Sequence, residues 1–332
     1  MTDTIQERIN QYLKDTIAAE RNFENALATF GKAGEQTPVQ SMLSAASAKA
    51  KTQHERLEAL LAKRGGTPSE GKTLLAEMLA FTPLSAQIGQ GAAEKNTQHL
   101  MVTFAAAAAE MAMYESLATA ASVGNSEDVV SLARTLQKEE RDDYDQVWGV
   151  LRASAADSFQ AELAKGKAAK DVLKVYLEDT IAAEKSFETQ LLGFSKEAGN
   201  STDQQLFQQH AQETKEQYLQ LSSRLEQLGG SASTLKSMLA HAFNVAPKIA
   251  QLGHDEYERQ TQNLMMAFAV ENAEVAIYES LAEVCRIAGD AETEALALSI
   301  QEQERATADK VWKQIAPAVR CAMATSRMNA MA

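Results

Sequence analysis

Glutamates stand in this chain where a packed helix would place hydrophobic side chains. Ile9, Leu13, Thr16, Glu20, Phe23, Leu27 and Phe30 follow one another at steps of four and three, the seam spacing of helices packed together. The series returns as Leu173, Leu177, Thr180, Glu184, Phe187, Leu191 and Phe194, again with a glutamate in mid-stripe. Two more stripes read Leu264, Phe268, Glu271, Glu274, Tyr278, Leu281 and Ile300, Glu304, Thr307, Val311. Another reads Leu206, His210, Glu213, Gln217, with Glu216 at its edge. An ionised carboxylate buried alone would cost on the order of tens of kcal/mol, so such a group must be protonated, paired or metal-bound. The stripes contain no arginine. Two divalent cations bridged by carboxylates would neutralise the set. The plainer reading is that a single seam glutamate is a partly exposed edge residue. Recurrence at Glu20/Glu184, Glu110/Glu274 and Glu140/Glu304 is what argues for a shared interior site.

The elements that must position these residues are repeated. YLKDTIAAERNFE (12–24) and YLEDTIAAEKSFE (176–188) agree at ten of thirteen positions, and one offset of 164 residues also aligns three further segments. It pairs Gly65-Gly66 with Gly229-Gly230, MVTFAAAAAEMAMYESLA (101–118) with MMAFAVENAEVAIYESLA (265–282), and Val147-Trp148 with Val311-Trp312. The period is a whole domain, so the chain is a tandem duplication and not a solenoid. Each copy reads as four long helices. In the first they span about 4–33 (ending at Gly34), 37–64 (stopped by Gly65-Gly66), 92–122, and from an N-cap at Asn125-Ser126 to about 153. A crossover over 67–90, with a short helix expected around 70–80, joins two antiparallel hairpins. The domains expected are 1–156 and 165–320, with 154–167 a linker, helical or loose, and 321–332 a tail.

Composition agrees with an all-α chain: Pro is scarce and aromatics make up 6% of 332 residues. The net charge of -13, with no cluster of basic residues, argues against nucleic acid and anionic membranes as partners and is compatible with attracting cations. No run is long enough to cross a membrane and the N-terminus lacks an apolar leader core, so the expectation is a cytoplasmic protein. Cys285 and Cys321 have no ligand spacing and read as a buried helix residue and a tail residue. There is no phosphate loop, no supported Ser-His-Asp set and no zinc-ribbon pattern.

In ETKEQYLQLSSRLEQLG on the second helix, AEVAIYESL on the third, QERATADKVW on the fourth and GKTLLAEML (71–79) in the crossover, the chain resembles the ferritin-like superfamily. Within it, the likeness is to the YciE/YciF-type stress-associated proteins. The resemblance covers both repeats. It implies a tandem pair of ferritin-like four-helix bundles, a pseudo-dimer in one chain, with further self-association left open. It also implies a two-metal site built from one Glu on each of two helices and a Glu-x-x-His pair on each of the others. Carried onto the second copy, the ligands would be Glu184, Glu213 and Glu216, Glu271 and Glu274, and Glu304 with Thr307. Glu216 and Thr307 stand where the two histidines should be. Such an all-oxygen set favours Mn, Mg or Ca over Zn or Cu and puts redox iron chemistry in doubt.

The first copy keeps Glu20, Glu110 and Glu140 and adds Asp143 opposite Thr307. It has Lys49 for Glu213, Thr52 for Glu216 and Ala107 for Glu271, which marks its site as vestigial. Lys49 could serve as a built-in cation for the remaining carboxylates, or it could simply reach water. Tyr114 and Tyr278, one turn past the third-helix glutamates, are placed to hydrogen-bond a ligand carboxylate. His210 reads as a satisfied polar residue more readily than a ligand. His54 and His99 read as surface or packing residues, His241 and His254 as incidental crossover residues, and Trp148 and Trp312 as closing the bundle ends. Two functions follow. One is a protein holding two iron or manganese ions in the second bundle and acting on oxygen or peroxide. The other is a metal-free stress or scaffold protein, so the sequence leaves open whether the chain is an enzyme.

Overall fold

A computed structural model describes residues 5–32, 37–68, 91–231 and 256–331. Among the described residues there are eight helices and no strand. The first four are α1 (Ile5–Gly31), α2 (Pro38–Lys63), α3 (Ala92–Val123) and α4 (Glu127–Ala164). The second four are α5 (Ala169–Glu197), α6 (Ser201–Gln227), α7 (Glu256–Ala288) and α8 (Ala291–Met331). The expected crossover helix, Gly34, the 71–79 segment, His241 and His254 lie outside the described residues.

Local chemistry sets the helix ends. Thr37 and Gln40 form a reciprocal capping box, with Pro38 at the first helical position. Asn200 accepts from the Asp203 amide at 2.9 Å to open α6. Gly65 and Gly229 both take φ +73°, a left-handed conformation that only glycine adopts readily, and they end α2 and α6. The backbone then closes through Gly66 N–H to Leu61 C=O at 3.0 Å and Gly230 N–H to Leu225 C=O at 2.9 Å.

Each copy is a four-helix bundle in which α1 packs on α2 and α3 on α4, repeated as α5 on α6 and α7 on α8. Helices α3 and α7 are buried nearly all round, because each also packs on the other and on the other bundle's last helix. The Ala105–Ala109 run gives α3 a thin side for that approach. The contacts are reciprocal, α4 on α7 and α8 on α3, as a twofold arrangement requires. Leu100, Phe104 and Leu151 therefore share one apolar cluster with Phe187, Val270 and Ala273.

The fourth helices are longer than the sequence suggested. Segment 154–167, read as a linker, is helical to Ala164, and Phe159 is buried among Leu173, Leu177 and Tyr278 of the second bundle. The end of α8 does the same in return: Val319 and, in the segment read as a tail, Met323 are buried with Ile9, Leu13 and Tyr114 of the first bundle. Burying Phe159 and Met323 offsets the cost of ordering these extensions, at about 1.5–3 kcal/mol per side chain. Trp148 does not close a bundle end, because α4 runs on past it. Its ring meets Phe104 and lies 4.5 Å beneath the Arg305 guanidinium from α8.

Candidate metal centre

In the second bundle, all four helices send a polar side chain to one interior point. Glu184 comes from α5, His210 from α6, Glu271 and Glu274 from α7 and Glu304 from α8, each at most 2% exposed. One ligand atom from each of His210, Glu271, Glu274 and Glu304 lies within 4.8 Å of all the others. His210 Nε2 is 2.9 Å from Glu271 Oε1 and 3.8 Å from Glu304 Oε2. The near pair is not aligned as donor and acceptor, so neither ring nitrogen is hydrogen-bonded. Tyr278 donates to Glu184 Oε1, and Gln217 donates to Glu304 Oε1. Among the described residues, no donor reaches either oxygen of Glu271 or Glu274, or Oε2 of Glu184. Burial, reinforced by neighbouring carboxylates, holds Glu184, Glu271 and Glu274 well above the usual carboxylate range.

The first bundle has a reduced version. Glu20 (α1), Glu110 (α3) and Glu140 (α4) are buried with one oxygen of each within 4.8 Å of the others. Tyr114 donates to Glu20 Oε1, and Gln53 Nε2 donates to Glu140 Oε1 at 2.6 Å. Among the described residues, no donor reaches either Glu110 oxygen. Burial and the neighbouring carboxylates raise Glu20 and Glu110 strongly; burial first, then Asp143, takes Glu140 up to about 7. Lys49 lies at the rim. Its ammonium is 2.8 Å from Asp143 Oδ1 and donates to the Glu139 carbonyl at 2.6 Å.

Several sequence expectations change here. Glu216 is exposed and accepts from Gln212, so it does not enter the site. Glu213 is only half-buried and acts on Glu271 through its charge. The inward face of α6 is instead Phe207, His210, Thr214, Gln217 and Leu221, so the polar side chains reaching the centre lie at 210 and 217. His210 stands on its stripe, but the family pattern sets the ligands of this helix one turn later, at Glu213 and Glu216. Gln53 and Gln217 lie outside the family's ligand pattern, although the 164-residue offset pairs them as it pairs the glutamates. Asp143 is tied to Lys49 at the rim and is not one of the three converging carboxylates. Thr307 is buried but contributes no ligand atom to the group. His99 stacks on Phe30 at 4.2 Å with its pKa lowered by burial to about 4, and His54 lies 3.3 Å from Glu24.

The donor set suits a metal. Donorless carboxylate oxygens buried together are what a cation would satisfy and an apolar core would not. The imidazole makes the second site mixed rather than all-oxygen, which suits iron and manganese and weakens the earlier objection to iron.

Fold and site together define a class: a tandem pair of helical bundles with acidic, metal-competent interiors. A family model described as "Domain of unknown function (DUF892)" matches residues 4–153 and again 168–324, and the chain belongs to that family twice over. This is the YciF family, with a ferritin-like fold, in accord with the resemblance read from the sequence. No curated protein and no solved structure matches the chain. No described helix is long and apolar enough to cross a membrane.

Proposed function

We propose that the second bundle holds two iron or manganese ions and that the protein uses them on oxygen or peroxide, in a cytoplasmic stress response. The observation that carries this reading is the convergence of the buried His210, Glu271, Glu274 and Glu304, with both oxygens of Glu271 and Glu274 lacking a donor among the described residues. Glu184 completes a set drawn from all four helices. When bound, such ions supply a Lewis acid, and for iron or manganese a redox partner, toward an oxygen ligand. The chain's residues orient and insulate. Tyr278 fixes one oxygen of Glu184 and leaves the other facing the centre; Gln217 does the same for Glu304. Burial excludes water and strengthens every charge interaction within the site.

The test is metal content after purification without chelator, for the wild type and for Glu184→Ala/Glu274→Ala. The expected result is a loss of about two ions per chain in the variant. A variant that keeps the wild-type metal content would sink the proposal. A second reading is a non-catalytic stress or scaffold protein with lapsed sites. It is favoured by the first bundle, where Ala107 stands in the place of Glu271 and Lys49 stands at the rim. Wild-type protein that is metal-free, refuses added iron and manganese, and stays folded would establish that reading instead.

A further inference from the structure

The 164-residue offset sorts the two sites into a part that is kept and a part that is exchanged. Five positions are kept: Glu20/Glu184, Gln53/Gln217, Glu110/Glu274, Tyr114/Tyr278 and Glu140/Glu304. The contacts among them recur too, Tyr to Glu across one pair of helices and Gln to Glu across the other. Four positions are exchanged: His210 for Ala46, Glu271 for Ala107, Glu213 for Lys49 and Thr307 for Asp143. In the second bundle His210 and Glu271 touch, at 2.9 Å. In the first, Lys49 and Asp143 touch, at 2.8 Å. Each exchanged pair is complete within its own bundle, so one portion of the site has been replaced as a unit.

The replacement leaves the other portion with no cation in direct contact. Lys49 acts on Glu20 and Glu140 through its charge from the rim, but its ammonium is bound to Asp143 and to a backbone carbonyl, and the side-chain donors to Glu20 and Glu140 are Tyr114 and Gln53. Three buried carboxylates therefore still converge, and Glu110 has no donor on either oxygen among the described residues. We infer that the first bundle is a one-ion site, in which Glu20, Glu110 and Glu140 hold a single divalent cation such as Mn²⁺, and the Lys49–Asp143 pair stands in the region of the second. The chain would then carry two different centres, one of them mononuclear. This rests on the reading of the second bundle as a two-ion site, and the test keeps the two apart.

The full chain is stripped with chelator, reloaded with Mn²⁺, desalted, and measured for bound Mn and for its frozen-solution electron paramagnetic resonance. An isolated Mn²⁺ gives a resolved six-line signal, and two bridged ions give a broad coupled one. The wild type should retain about three Mn per chain with both signals. Glu110→Gln should lose about one ion and the six-line signal, and Glu274→Gln should keep the six-line signal while losing the coupled one. Ala46→His/Ala107→Glu/Lys49→Glu rebuilds the missing portion without removing a ligand. It should convert the six-line signal to a coupled one and serves if Glu110→Gln does not fold. If Glu110→Gln binds as much Mn as the wild type, or the rebuilt chain keeps its six-line signal, the one-ion inference fails while the second-bundle reading stands. If neither the wild type nor the rebuilt chain retains Mn²⁺, or Fe²⁺ loaded in its place, both fail.

Discussion

Glu140 gives the most direct handle on whether these carboxylates are as isolated as the geometry says. Its carboxyl is raised from 4.5 to about 7, with burial the largest cause and the charge of Asp143 next. In the unfolded chain it returns to its ordinary value. The folded state therefore prefers the protonated form, so the stability this preference supplies is complete below about pH 4.5. It drains away as pH rises and is gone above about pH 7. For this one group the loss is about 3 kcal/mol. Glu20 and Glu110 are raised in the same direction, so the total for the bundle is larger. With two bundles sharing a core, 3 kcal/mol corresponds to a drop in Tm of about 5 °C. The assay is thermal unfolding of metal-stripped protein between about pH 5 and pH 8, alongside Glu140→Gln. The wild type should lose Tm across this window, and the variant, lacking the group, should lose less. Adding Mn²⁺ at the upper pH should restore Tm, because a cation does there what protons do at low pH. A flat wild-type profile, or a variant that follows the wild type, would refute the reasoning.

Three other outcomes follow from contacts described above. Lys49→Met should destabilise the protein by about 1 kcal/mol in chemical denaturation, since it strands the half-buried Asp143, whereas a change at the exposed Lys138 should move the midpoint hardly at all. Phe159→Ala should cost about 3–5 kcal/mol, although it lies in the segment that reads as a linker, because its ring fills the end of the second bundle. Tyr278→Phe should leave the fold intact but remove the donor that fixes Glu184. It should weaken Mn²⁺ binding by about tenfold in a competition titration with a chelating dye.

The fold was legible because its signals are periodic and doubled. The four-three spacing through Glu20 and Glu184, the glycine stops at 65 and 229, and a single offset each read a different length scale, and all agree. The burial of Glu20, Glu110, Glu140, Glu184, Glu271, Glu274 and Glu304 was legible because each shares the helix seam. The reading failed at α6, where one turn separates the inward His210 from the rim residue Glu213, and stripe reading alone cannot choose between neighbouring turns of an amphipathic helix. Glu216 lies at the edge of that stripe, becomes a ligand only through the family pattern, and is exposed. The helical extensions past residues 154 and 321 escaped for a different reason: their buried faces are completed by the opposite bundle, and no local pattern records a partner so distant in sequence.

The single chain explains how two unlike sites can coexist in one twofold frame. In a dimer of identical chains every substitution appears at both sites, so exchanging His210 and Glu271 for alanines would have altered both centres together. Fusion removes that constraint, and the interface shows it has been used. Tyr144 donates to Asn272 at 2.7 Å and Arg152 to Glu279 at 2.7 Å, while the offset-related positions hold Ala308 with Ala108 and Ala316 with Glu115. These pairs exist once and fix which bundle faces which. The reciprocal extensions of α4 and α8 keep each half from closing without the other, since Phe159 and Met323 are core residues of the bundle they visit. The covalent pair can therefore let one centre drift away from the other without losing the symmetric contacts that hold both bundles shut.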